Sequence, residues 1–296
     1  MKNITLTPSK NKNGTYGLCN LEDSLVFYKD NIKYSDNLDN INELYFNCSP
    51  VILVDKKNNT SYFEFDKDLY NNTLYDNLYF KGKYWNKRHK WFKTLEYSIE
   101  NNYKMLTFKE SMSKKFFIDR LSLIEKSKKY SNNIKIINEV EDFIKNIDDY
   151  IFRAYISNGD LTDTNICLNN KICDTECLGD NIVIADLSIL FVSILYGSWI
   201  YPKYNYNAYL FRKNKIIIPK KRLNNKQREI LKIIISLVKP IEFDKFKKLL
   251  IMRLITPITM DIMDEADRKS IDDLIRIIYI SEYDTLIKNI TKYYKK

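Results

Sequence analysis

Apolar residues run in short strand-like bursts before residue 66 and recur at helical spacing after residue 113. Leu25-Val26-Phe27-Tyr28-Lys29, Pro50-Val51-Ile52-Leu53-Val54-Asp55 and Ser61-Tyr62-Phe63-Glu64-Phe65 are rich in β-branched and aromatic residues, which favour strands. Lys56-Lys57-Asn58-Asn59-Thr60 is the turn expected between the last two, and residues 37–46 fit a short helix. Downstream, Phe116, Phe117, Leu121 and Ile124 share one helical stripe. Ile134, Ile137, Phe143, Ile144, Ile147 and Ile151 form a longer one and predict a helix running up to residue 158. The run Ile189-Leu190-Phe191-Val192-Ser193-Ile194-Leu195 predicts a buried helix. Ile230, Ile233, Ile234 and Leu237 make another face, Leu274, Ile275 and Ile278 a further one, with Pro240 and Pro257 as breakers. The pattern is α+β: a small β-rich part over 1–66, a larger and mainly helical part over 67–296, and a boundary near 66–70.

Composition adds bounds. The 296 residues are 45% hydrophobic and 29% charged, which suits a globular chain with a real core. The opening Met-Lys-Asn-Ile-Thr lacks an apolar h-region, so no signal peptide is expected. The longest apolar stretch, 182–201, is broken by Asp186, Ser188, Ser193, Gly197 and Ser198, which fits a buried helix better than a membrane span. Five cysteines without CxxC pairs read as reduced thiols in a cytoplasmic protein. Cys173 and Cys177, with the lone His89 far away in sequence, make no zinc site.

Lysine and arginine (48) outnumber aspartate and glutamate (38), for a net charge of +10. That balance is compatible with nucleic acid, an anionic surface or a phosphorylated ligand, and equally with a Lys-rich solvated surface. Tyr84-Trp85-Asn86-Lys87-Arg88-His89-Lys90-Trp91-Phe92-Lys93 is the densest basic–aromatic cluster. Aromatics among cations can stack bases. An amphipathic helix that buries Trp and Phe gives the same pattern and is the preferred reading, which disfavours a nucleic-acid partner. His89 is read as a surface residue. Nothing in the sequence sets an oligomeric state.

The chemistry concentrates at residues 158–186. Asp160 and Asn165 lie five apart, and a segment resembling two three-residue strands around an Asn-Asn turn separates Asn165 from Asp174. Such a hairpin brings Asn165 beside Asp174, with Asp160 close by. Two carboxylates and an amide oxygen suit a Mg²⁺ ion and the orientation of a hydroxyl nucleophile.

This string resembles the catalytic core of the aminoglycoside phosphotransferase and choline kinase group, small-molecule relatives of the protein kinases. That group carries His-Gly-Asp-x-x-x-x-Asn, a hairpin, Ile-Asp-x-Glu, and an Asp-Leu that opens a buried helix. The counterparts are Asn158-Gly159-Asp160 with Asn165, then Cys173-Asp174-Thr175-Glu176, then Asp186-Leu187. Asn158 replaces the usual His, and the hairpin is shorter than usual. The resemblance implies a protein-kinase-like two-lobed fold, with a nucleotide-binding N-lobe over 1–66 and a catalytic C-lobe over 67–296. It implies that Asp160 orients or deprotonates the substrate hydroxyl and that Asn165 and Asp174 hold Mg²⁺ on the ATP phosphates. Asp186 takes a structural role, capping its helix and accepting hydrogen bonds from catalytic-loop amides. In the N-lobe, Lys29 would contact the α- and β-phosphates, Glu43 would pair with it, and the backbone of Glu64 and Phe65 would bind adenine. Lys33 competes for the phosphate-lysine role. Gly14-Thr15-Tyr16-Gly17 resembles the vestige of a phosphate-covering loop. Asp163 and Glu176 are secondary candidates.

Gly159 stands where regulated protein kinases carry an Arg, and only residues 175–185 separate Asp174 from Asp186. A protein kinase needs a longer activation segment there. The resemblance therefore implies an ATP-dependent transfer of the γ-phosphoryl group to a small hydroxylated substrate. The alternative is a catalytically weak pseudokinase that acts as a nucleotide-binding or interaction module. Asp261, Asp264, Glu265 and Asp267 could grip a cationic substrate or simply belong to a helix surface.

Overall fold

The computed structural model describes residues 9–11, 14–21, 24–30, 47–48, 51–55, 60–64, 74, 88–116, 120–163, 165–167, 171–172, 177–196, 223–259 and 263–294. Glu43, Phe65, Asp174 and Glu176 lie outside them, as do Lys33, Asp261 and the helix expected over 37–46.

The N-terminal apolar bursts are strands. Strands β1 (Ser9–Asn11), β2 (Gly14–Leu21), β3 (Ser24–Asp30), β5 (Val51–Asp55) and β6 (Thr60–Glu64) form one antiparallel sheet, in the order β1-β2-β3-β6-β5. The three strands expected from their β-branched and aromatic content are all present. β1 and β2 were not anticipated, because Ser-Lys-Asn is polar and Gly-Thr-Tyr-Gly-Leu-Cys-Asn-Leu keeps no strict apolar–polar alternation. Residues 14–17, expected as a phosphate-covering loop, instead open β2, where Tyr16 pairs with Lys29. Lys29 is flanked on its other side by Ser61, so the central strand β3 carries it between β2 and β6.

A second sheet, ordered β11-β8-β7, joins β7 (Lys104–Thr107), β8 (Ile151–Ser157) and β11 (Gly179–Ile182). The helix expected to run up to residue 158 is therefore shorter than its stripe. Helix α3 (Ile134–Lys145) ends first, Ile147–Asp149 make one 3-10 turn, and β8 leads into the loop. Ile-Phe-Arg-Ala-Tyr-Ile-Ser is covered on both faces, with every residue after Ile151 buried, so no two-residue alternation distinguished it from helix. A third, minimal sheet sets the hairpin β9 (Ile166–Cys167) and β10 (Lys171–Ile172) beside β4 (Asn47–Cys48), which pairs in parallel with β10. The two hairpin strands are two residues long rather than three.

Helix α1 (Arg88–Asn101) takes up the described part of the basic–aromatic cluster. Trp91, Phe92, Leu95 and Ile99 are buried while Lys90 and Lys93 face solvent, which is the amphipathic arrangement. The stripe over 116–124 is divided between a 3-10 turn, Met112–Phe116, and α2 (Leu121–Ser127). Helix α4 (Val183–Tyr196) is the expected buried helix, with residues 183–195 all inaccessible. Helices α5 (Asn225–Leu237) and α6 (Phe243–Ile258) pack on it, α7 (Glu265–Ile280) packs on α6, and α8 (Leu286–Tyr293) on α5 and α7. Phe191 of α4 meets Phe246 of α6 edge-on, with ring centroids 6.0 Å apart. Pro257 does not stop α6 before itself. It sits in the last turn, and the helix ends one residue later. Asp264 caps α7 by accepting from the Asp267 amide at 2.8 Å, which gives that member of the acidic cluster a structural use.

Arg153 ties β8 to the helices. Its Nε donates to Glu242 Oε1 at 2.9 Å, and Nη2 donates to Glu242 Oε2 at 2.6 Å and to the Leu237 carbonyl at 3.1 Å. Both side chains are largely withdrawn from water, so removing one strands the other's charge. Arg153→Ala is expected to lower stability by roughly 3–5 kcal/mol in urea denaturation, and Arg153→Met combined with Glu242→Leu to recover most of that loss.

Candidate active site

The loop from Asn158 to Asn165 begins at the buried end of β8 and finishes at the start of β9. Gly159 makes the turn possible. Its φ is +71°, a left-handed conformation that side chains disfavour, and an added Cβ would stand 2.8 Å from Asn181 Oδ1 and 2.9 Å from the Cys177 carbonyl oxygen. The chain then tightens on itself. The Thr162 amide donates to the Asp160 carbonyl at 2.8 Å, and the Asn165 amide to the Thr162 carbonyl at 3.1 Å. Leu161 and Ile166 are fully buried and anchor the two ends.

The fold brings Asp160 and Asn165 together. Asn165 Nδ2 donates to the Asp160 carboxylate at 3.1 Å and to the Asp160 carbonyl at 2.9 Å. Both side chains are partly accessible, as reacting groups must be. With its amide nitrogen engaged, Asn165 turns its carbonyl oxygen, a hard donor, to the other side. Ile166 pairs with Ile172 across the hairpin, which returns the chain to Asn165 two residues before Asp174. Among the described residues no group of three His, Cys, Asp or Glu gathers to hold a metal. Lys29 and Glu64 are placed by the backbone alone, one inside β3 and the other closing β6. Asp163 is fully buried, with its amide donating to Ser193 Oγ of α4 at 3.1 Å, so it supports the loop from behind.

Asp186 lies in the first turn of α4, inside the helix rather than at its cap, and is buried. The sequence led to the expectation that loop amides would donate to it, but among the described residues none does. Two hydroxyls take their place: Ser157 Oγ donates to Asp186 Oδ2 at 2.5 Å and the Tyr155 hydroxyl to the same oxygen at 3.1 Å. The Gly159 amide in turn donates to Ser157 Oγ at 3.2 Å. Burial pushes the Asp186 carboxyl up to about 6, opposed by these two hydrogen bonds and by the charge of Arg253 on α6. The same burial, and the adjacent carboxylate, raise Tyr155 well above the usual tyrosine range.

Asn181 of β11 is a second hub. Its Nδ2 lies within hydrogen-bonding reach of the Ser157, Cys177 and Gly179 carbonyls at 3.1, 2.8 and 3.1 Å, and its Oδ1 accepts from Ser113 Oγ at 3.3 Å. Ser157, Tyr155, Asn181 and Ser193 were not singled out from the sequence. Ser157 and Tyr155 alternate along one strand ahead of the loop, and reading that stretch as helix concealed the alternation.

No protein-family model matches the chain, and no curated protein matches it. Among solved structures it is similar to the crystal structure of LicA in complex with AMP, with a TM-score of 0.50 at 13% identity. The likeness covers 99% of this chain and 94% of that one. The fold is similar to that of LicA. It is a mixed α+β fold, mostly helical, consistent with the kinase-like architecture expected from residues 158–186. Among the described residues no helix is long and apolar enough to cross a membrane.

Gly159→Ala is expected to destabilise the protein by about 1–3 kcal/mol, because strain at φ and contact with backbone coincide; thermal unfolding measures it. Asp186 sets a pH dependence. The folded carboxyl keeps its proton up to about 6, whereas an unfolded aspartate loses it near pH 4. Its contribution to stability is therefore greatest below the unfolded value and declines as pH rises towards the folded one. The stability difference between wild type and Asp186→Asn should shift by on the order of 3 kcal/mol between pH 4 and pH 7, with the wild type relatively better at pH 4. Urea titrations of both proteins across that range test the sign.

Proposed function

We propose that the protein is an ATP-dependent phosphotransferase that moves the γ-phosphoryl group to a hydroxyl of a small molecule. The observation that carries this reading is the bond from Asn165 to the Asp160 carboxylate, within a loop braced from behind by a buried aspartate. A carboxylate held by its neighbour at a fixed orientation is what in-line transfer requires, since catalysis there is mostly positioning and charge. The similarity to a structure containing AMP supports a nucleotide as one ligand.

In this reading Asp160 orients the acceptor hydroxyl and takes up its proton. The carbonyl oxygen of Asn165 and the carboxylate of Asp174 are hard oxygen donors that suit Mg²⁺, and they would hold it. When bound, the ion supplies charge neutralisation to the phosphates. Residues 1–66 form the nucleotide-binding lobe and 67–296 the catalytic lobe, with Lys29 on the phosphates, Glu43 its partner, and the backbone of Glu64 and Phe65 on adenine. The central position of Lys29 in the first sheet supports its role.

A small acceptor is favoured over a protein. Of residues 175–185, Gly179–Ile182 are already paired in β11 and the rest of the stretch to Asp186 lies in α4. That leaves residues 175–178 and no length for a peptide-binding platform.

Saturating Mg-ATP should stabilise the folded protein by about 2–3 kcal/mol at a hundredfold excess over Kd, read as a rise in melting temperature. Asp160→Asn should keep that rise and lose on the order of 10²-fold or more in phosphoryl transfer. No rise at millimolar Mg-ATP would sink the reading. A rise without transfer to any of a panel of sugars and amino alcohols would favour a pseudokinase.

A further inference from the structure

We propose that Ser157 is a positioning residue: its hydroxyl carries the hold of Asp186 onto the Gly159 amide and thereby fixes where Asp160 stands. The inference deepens the phosphotransfer reading and rests on it for the activity readout alone.

A serine hydroxyl has one proton to give and lone pairs to receive with. The Ser157 proton is committed to Asp186 Oδ2, because an ionised carboxylate can only accept. That commitment orients the hydroxyl oxygen, which receives the Gly159 amide. Ser157 is itself fully buried, and its carbonyl accepts from Asn181 Nδ2, so neither its side chain nor its backbone has room to swing. Gly159 turns on a left-handed φ with Cys177 and Asn181 packed against the space a side chain would need. The next residue is Asp160. Its carbonyl gathers Thr162 N at 2.8 Å, Asn165 Nδ2 at 2.9 Å and Asn158 Nδ2 at 3.3 Å. Two hydrogen bonds and one peptide link therefore join α4 through Ser157 and Gly159 to Asp160, which is bonded to Asn165.

Tyr155 supplies a matched comparison. Its hydroxyl donates to the same oxygen of Asp186 and is equally buried, but it stands two residues earlier on β8, before the turn. A role confined to satisfying the buried carboxylate would make the two hydroxyls equivalent. A role in placing the loop would separate them.

The test measures amide hydrogen exchange over residues 157–163 and steady-state release of ADP from Mg-ATP, with water as acceptor, in the full chain. Wild type is compared with Ser157→Ala, Ser157→Thr and Tyr155→Phe. Ser157→Ala should speed loop exchange by about tenfold and lower kcat by a similar factor, with KM for Mg-ATP little changed. Ser157→Thr, which keeps the hydroxyl, should restore both. Tyr155→Phe should lower the melting temperature and leave loop exchange alone. Unchanged loop exchange in Ser157→Ala, or an equal rise in Tyr155→Phe, overturns the proposal. If millimolar Mg-ATP leaves the wild-type melting temperature unchanged while Ser157→Ala still loosens the loop, the phosphotransfer reading fails and the positioning of the loop by Ser157 stands.

Discussion

A carboxylate buried behind a loop is the constraint on which this site depends. Asp186 has no access to water, and an isolated ionised group there would be costly enough to neutralise itself. Tyr155 and Ser157 donate to it from β8, and Arg253 contributes opposite charge from α6. The hydrogen bonds and the charge act against desolvation, and burial still wins by enough to lift the carboxyl into the range of mild acid. This polar cluster connects strand, helix and loop, so displacing any one of the three disturbs the carboxylate that holds the others.

Around that cluster, the remaining loop geometry has few degrees of freedom. Gly159 permits a reversal that brings the chain against Cys177 and Asn181, Leu161 and Ile166 pin the ends in the core, and Ser193 holds the Asp163 amide. What emerges into accessible space is the pair Asp160 and Asn165. Rigid support behind and exposure in front is the arrangement expected where side chains must meet a substrate at fixed distance. The hairpin of β9 and β10, tied to β4 from the N-terminal part, connects the loop to the region that contains the first sheet.

Much of this was legible in the sequence, unevenly and for physical reasons. The buried helix α4 announced itself because thirteen consecutive inaccessible positions leave a long apolar run. Asp160 and Asn165 stood out because spacing and chemistry coincide, and the amphipathic character of α1 followed from its interleaved aromatics and cations. β8 was missed because a strand covered on both faces loses its alternation, so its residues extended the helical stripe begun by α3. That error hid Ser157 and Tyr155, whose value depends on which way a strand presents them. β1 and β2 were missed because one is short and polar and the other breaks the two-residue alternation that marks a strand. Pro257 marked the end of α6 only to within a turn, because the helix runs one residue past it. The roles of Asp186 and of the 261–267 acids were partly legible. The sequence signals a carboxylate at a helix start, but not whether it faces amides, hydroxyls or solvent.

In the proposed phosphotransfer, Asp160 and Asn165 face the reacting phosphate of a bound nucleotide. A crystal structure of the protein with Mg²⁺ and a non-hydrolysable ATP analogue tests that directly. The γ-phosphate is expected beside Asp160, with the metal ligated by Asn165 and Asp174 and the phosphates turned towards Lys29. A nucleotide bound elsewhere, or a metal held without Asn165, would contradict it.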